Sequence, residues 1–115
     1  MIEDFVIKEP LAFQFGRALD YEKILALSDE DFARLYLELM TEYRDKDGWW
    51  SNGKIPTCSQ CHTEIPGPKE LRCYYGNSMD ASCFREFYER EGSKDQHESK
   101  LTKQYLERVA KLVIP

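Results

Sequence analysis

The sequence has no apolar run longer than a few residues, so no segment is suited to cross a bilayer as a helix. It has no internal repeat, no low-complexity tract and no glycine-rich phosphate loop. A Ser/His/Asp arrangement is also missing. No nucleophile and base can be named together, so the sequence reads as that of a non-enzymatic protein. The acidic start, from Met1 to Phe5, lacks a basic region followed by an apolar stretch. Residence in a reducing cytoplasm is therefore expected.

A basic surplus is lacking too. Lys and Arg number 16 against 21 Asp and Glu, a net charge of −5. Residues 1–47 hold 12 acids and 6 bases, and residues 48–115 hold 9 acids and 10 bases. Neither part forms a basic patch, which argues against nonspecific attachment to phosphates. The acidic N-terminal part suits solubility or docking to a basic partner.

What remains is an ordinary globular balance, 42% hydrophobic and 32% charged, which excludes wholesale disorder. At 115 residues, one domain over 1–115 is expected. It divides into an acidic helical part (1–47), a cysteine-bearing module (48–92) and a C-terminal helix (93–115).

Residues 29–44 carry the clearest helical pattern. Phe32, Leu35, Tyr36, Leu39, Met40 and Tyr43 recur at helical spacing, Ser28 sits at the N-cap, and acids fill positions 29–31. Leu101, Tyr105, Leu106, Val109, Leu112 and Val113 predict a second amphipathic helix over 94–113, docked on the first. Asp20 to Leu27 suggests a short helical turn. Phe13 and Phe15 allow a short strand, which Pro10 confines to an edge. Trp49 and Trp50 lie in a loop or hairpin and cannot both point inward if extended. One of them is a candidate partner contact.

The cysteines follow the pattern C-x2-C-x11-C-x9-C, as Cys58, Cys61, Cys73 and Cys83. Two cysteines two residues apart can curl the backbone around one ion. Zinc takes four such ligands tetrahedrally. Cytoplasmic cysteines at this spacing point to structural Zn2+ rather than disulfides. A metal would contribute on the order of 10 kcal/mol to folding. Leu71 to Tyr75 reads as a strand, Gly76-Asn77 as a turn, and Ser78 to Asp80 as a returning strand. Cys83 then opens a helix running to Glu91 and ended by Gly92.

The order of knuckle, hairpin and helix over residues 56–92 resembles a treble-clef zinc finger. That family supplies its second ligand pair as C-x2-C at the helix start. Here the matching residues are Asp80-Ala-Ser-Cys83. The resemblance therefore raises a second ligand set, with Asp80 in place of Cys73. Thiolate binds zinc more strongly than carboxylate in structural sites, which favours Cys58, Cys61, Cys73 and Cys83. His62 and His97 are reserve ligands.

Other chemistries fit less well. Cys58-Ser-Gln-Cys61-His62 is a literal c-type haem attachment signature, with Met79 or His97 as distal ligand. It lies mid-chain, and two more cysteines follow it. A thioredoxin-like pair needs a helix directly after C-x2-C, where Pro66 and Pro68 stand.

The expected class is an α+β, mostly helical protein in which zinc stabilises a treble-clef-like unit packed with two amphipathic helices. The expected role is binding, as an adaptor or regulator of a protein partner through the acidic part and the Trp49/Trp50 loop. An inhibitor that a phage or mobile element encodes against a host protein fits this description. The alternative partner is nucleic acid, through Lys54, Lys69 and Arg72 with base stacking on Tyr74 and Tyr75.

Overall fold

The structure is a computed structural model and describes residues 2–7, 18–46, 55–74, 77–92 and 99–115. The expectations for Phe13, Phe15, Trp49, Trp50, Lys54, Tyr75 and His97 fall outside these residues.

A 3-10 turn (Ile2–Phe5) leads into strand β1 (Val6–Ile7), which pairs antiparallel with β2 (Ala18–Leu19). Asp20 then caps a short helix, α1 (Tyr21–Leu25), by accepting the Lys23 amide at 3.2 Å. Helix α2 (Asp29–Lys46) starts where predicted, with Ser28 Oγ accepting the Asp31 amide at 3.2 Å. Its apolar stripe is core: Phe32, Leu35, Tyr36, Leu39 and Met40 are all buried. The stripe therefore acts as a packing surface within this chain.

The middle of the chain forms a hairpin, β3 (Leu71–Tyr74) and β4 (Asn77–Asp80), followed at once by helix α3 (Ala81–Glu91). The register pairs Leu71 with Asp80, Arg72 with Met79, and Cys73 with Ser78. Gly92 ends α3 in right-handed backbone geometry. Glycine is needed there for close approach, because a Cβ would fall 2.2 Å from the Tyr88 ring. That ring is held in turn by a hydrogen bond from its hydroxyl to the Lys103 carbonyl at 3.0 Å.

The last helix, α4 (Lys100–Lys111), is shorter than the expected 94–113. Ser99 is its N-cap and accepts the Thr102 amide at 3.1 Å, so the helix begins one residue later. Leu112 leaves the helix with extended geometry, and Val113, now out of helical phase, is 71% exposed. The expected docking on α2 is partial. Helix α4 packs mainly on α1 and α3, and Tyr105 reaches α2 through an edge contact with Phe32 at 6.1 Å. The architecture is α+β and mostly helical, with one apolar core drawing on all three parts of the chain.

Arginines fasten the parts, Arg108 and Arg72 with the most bonds among the described residues. Arg108 of α4 donates to the carbonyls of Ile24, Leu25 and Leu27, at 3.4, 3.3 and 2.7 Å, where α1 ends. It also donates to Asp29 at 3.1 Å and lies 4.4 Å from the centre of the Phe32 ring. A cation at a helix C-terminus interacts favourably with the helix dipole. Arg72 is 1% exposed and donates to the carbonyls of Lys69, Leu71 and Leu112, at 2.8, 2.9 and 3.4 Å. It thereby ties the hairpin to the segment after α4.

Among the described residues, no helix is long and apolar enough to cross a membrane.

Candidate metal centre

The site begins with a knuckle. Cys58 N–H donates to the Thr63 carbonyl and His62 N–H to the Cys58 carbonyl, each at 2.9 Å. Thr57 and Glu64 form an antiparallel bridge that closes the loop. His62 takes the left-handed conformation (φ 62°) that lets the chain reverse in so few residues. Gln60 N–H points at Cys58 Sγ across 3.4 Å. The knuckle is fixed to the hairpin by Ser59 N–H donating to the Ser78 carbonyl at 2.9 Å. This bond brings the start of the knuckle to the end of β4, where α3 begins.

Four ligand atoms converge there. The sulfurs of Cys58, Cys61 and Cys83 and a carboxylate oxygen of Asp80 all lie within 4.8 Å of one another. A tetrahedral zinc–thiolate site, with bonds of about 2.3 Å, sets its sulfurs roughly 3.8 Å apart, so the cluster is near the required size. These donors can hold one metal ion. Cys58 is buried, Cys83 half-buried and Cys61 exposed.

Asp80 has two tasks. Its Oδ1 accepts the Cys83 amide at 2.8 Å and so caps α3. Its Oδ2 lies 3.2 Å from Cys61 Sγ and faces the cluster. The cap aims the second oxygen at the point where a metal would sit.

The side chains that converge differ from the favoured four-cysteine set and match the alternative with Asp80. Cys58, Cys61 and Cys83 come together, but Cys73 does not join them. It lies in the middle of β3, 2% exposed, within the apolar core. Thiolate preference favoured Cys73, but chain direction decides otherwise. Cys73 pairs with Ser78, two residues short of the strand end at which Asp80 and α3 meet the knuckle. His62 is also outside the cluster, because its role is to turn the backbone.

The electrostatics fit a cation. Burial alone would raise the Asp80 pKa. Hydrogen bonds from the Cys83 amide and from the thiols of Cys61, Cys83 and Cys58 outweigh it and hold the carboxyl below its usual range. Burial also opposes the Cys58 thiolate, yet the backbone at Cys61, Asp80 and Gln60 and the Cys61 thiol bring its pKa below the ordinary thiol value. Cys83 is pushed well up, by burial first and then by the surrounding thiols and carboxylate. The ionised forms of Asp80 and Cys58 are thus favoured while that of Cys83 is opposed, the pattern of like charges crowded at one site.

The other expected site residues fare differently. Tyr74 is half-buried, with its ring edge-on to Phe84 at 6.3 Å and Phe87 at 5.2 Å. Arg72, offered as a phosphate contact, is turned inward and occupied by carbonyls. Lys69 is exposed. The haem signature is spent on the knuckle: Cys58 is fully buried beside Cys83 and Asp80, and Met79 is core. Sequence reading missed the residues flanking the cluster on its open side, Gln60, Glu86, Phe87 and Arg90. Their spacing across α3 carries no recognisable motif.

The chain matches no known family model, no curated protein and no solved structure.

Proposed function

We infer that this is a small zinc-stabilised binding protein, without catalytic activity, that acts as an adaptor or regulator of a protein partner. The observation that carries the metal part is the convergence of Cys58, Cys61, Asp80 and Cys83 from a knuckle, a strand end and a helix start. That order of elements supports a treble-clef-like unit. Zinc suits three thiolates and one carboxylate in a tetrahedron. Four protein donors fill such a shell and reserve no position for water, unlike the open shell of catalytic zinc.

Protein is favoured over nucleic acid as the partner by the burial of Arg72 and by the acidic N-terminal part. Phosphate binding calls for exposed cations. The partner surface in this reading includes Trp49 and Trp50. A pull-down from cells with the metal-loaded chain tests it. Capture should weaken with Trp49→Ala or Trp50→Ala and change little with salt. Salt-steep binding to an oligonucleotide, lost with Lys69→Ala, would replace this reading with the nucleic-acid one.

A further inference from the structure

We propose that the Asp80 position of the metal centre is exchangeable, and that the cleft beside it admits a small thiol bearing a carboxylate as an external ligand. The proposal rests on the metal reading above. The cleft has a volume of about 250 Å3 and is lined by Gln60, Cys61, Cys83, Glu86, Phe87 and Arg90. Two of the cluster's cysteines therefore form part of its wall. Cys58 and the core close the opposite side, since Cys58 is 0% exposed. A ligand in the cleft would approach the metal position past Cys61 and Cys83.

Asp80 is the donor that can leave. It is the one oxygen ligand among three thiolates, and a soft thiolate displaces a carboxylate from such a centre. Its Oδ1 stays on the Cys83 amide at 2.8 Å, so helix α3 keeps its cap when Oδ2 lets go. The exchange balances. The metal–Oδ2 bond breaks, a metal–sulfur bond forms, and the thiol proton passes to solvent. The released carboxylate remains ionised, so the coordination shell keeps its charge, the site as a whole gains the one negative charge of the thiolate, and nothing is oxidised or reduced.

The cleft also selects. Arg90 lies in its wall beside Glu86, with an exposed contact to Glu91 at 3.4 Å, and its guanidinium can take a carboxylate on the incoming thiol. The half-buried Phe87 ring offers an apolar surface to the carbon chain between the two groups.

The test uses the full chain loaded with Co2+, whose thiolate bonds give a charge-transfer band. Adding 3-mercaptopropionate should raise that band saturably by about one third, as three thiolates become four. Cobalt should remain with the protein on gel filtration. Propionate should have no effect. 2-Mercaptoethanol should bind about fivefold more weakly, and Arg90→Gln should abolish that difference. Asp80→Asn should show the same rise with a lower half-saturation concentration. An unchanged band, loss of cobalt to the small-molecule fraction, or equal affinity for the two thiols would each overturn the proposal. A protein with no cobalt–thiolate band before any thiol is added overturns the metal reading with it.

Discussion

Asp80 Oδ2 lies 3.2 Å from Cys61 Sγ, a residue 19 positions earlier in the chain. That approach joins the knuckle to the start of α3. It gives Asp80 separable roles, one for each oxygen. Asp80→Asn keeps the Oδ1 acceptor and loses the charge, whereas Asp80→Ala loses both. Both variants should bind Zn2+ at least about tenfold more weakly in a chelator competition. Only Asp80→Ala should also lose about 1 kcal/mol of metal-free stability with the helix cap. Equal metal affinity in all three proteins would remove Asp80 from the ligand set.

Cys73 and Cys58 should separate cleanly. Cys73→Ala leaves a small cavity among buried residues and should cost about 1–2 kcal/mol in a denaturant titration, with the metal stoichiometry unchanged. Cys58→Ser should lower metal retention in any buffer. Loss of metal from Cys73→Ala in an otherwise folded protein would restore the four-cysteine set.

The depressed Asp80 pKa has a defined sign. A carboxyl with a lower pKa folded than unfolded stabilises the folded state above its unfolded value, near pH 4, and the contribution is lost as pH falls through the folded value. In metal-free protein under reducing conditions, wild type should exceed Asp80→Asn in stability at about pH 6, and the two should converge in stronger acid. Urea midpoints across this range check it. A gap that does not change with pH would show that the Asp80 charge contributes nothing.

Tyr105 carries a buried hydroxyl with no hydrogen-bond partner among the described residues. Its ring packs on Tyr21 at 4.6 Å and Phe32 at 6.1 Å between centres. An unsatisfied buried hydroxyl costs about 1–3 kcal/mol of desolvation. Tyr105→Phe should therefore raise the thermal midpoint, the equivalent of about 1 kcal/mol, and a fall would point to a partner for the hydroxyl.

Arg108 should be costly to lose. Its guanidinium satisfies the carbonyls of Ile24, Leu25 and Leu27 and covers the Phe32 ring. Arg108→Ala should cost about 2–4 kcal/mol by denaturant titration. Arg108→Lys, lacking the planar fork, should recover less than half of that. Full recovery by lysine would reduce the role to simple charge.

Local signals were legible where they were periodic. The α2 stripe from Phe32 to Met40, the Ser28 cap and the hairpin before α3 all follow from residue spacing. The contribution of Cys58, Cys61 and Cys83 to one cluster was legible for the same reason. The fourth donor was legible only as the alternative that the treble-clef spacing raised, because ligand strength ranks Cys73 above Asp80 while strand register places Cys73 in the core. One signal did point the right way: an aspartate three residues before Cys83, at the N-cap of a helix. Arg72 was misread because arginine is exposed by default, and its burial depends on Leu112 returning from 40 residues away.

X-ray absorption at the zinc edge, on protein loaded in thiol-free buffer, tests the central claim most directly. The account predicts about three sulfurs near 2.3 Å and one oxygen near 2.0–2.2 Å. A shell of four sulfurs, or a protein that retains no zinc, would contradict it.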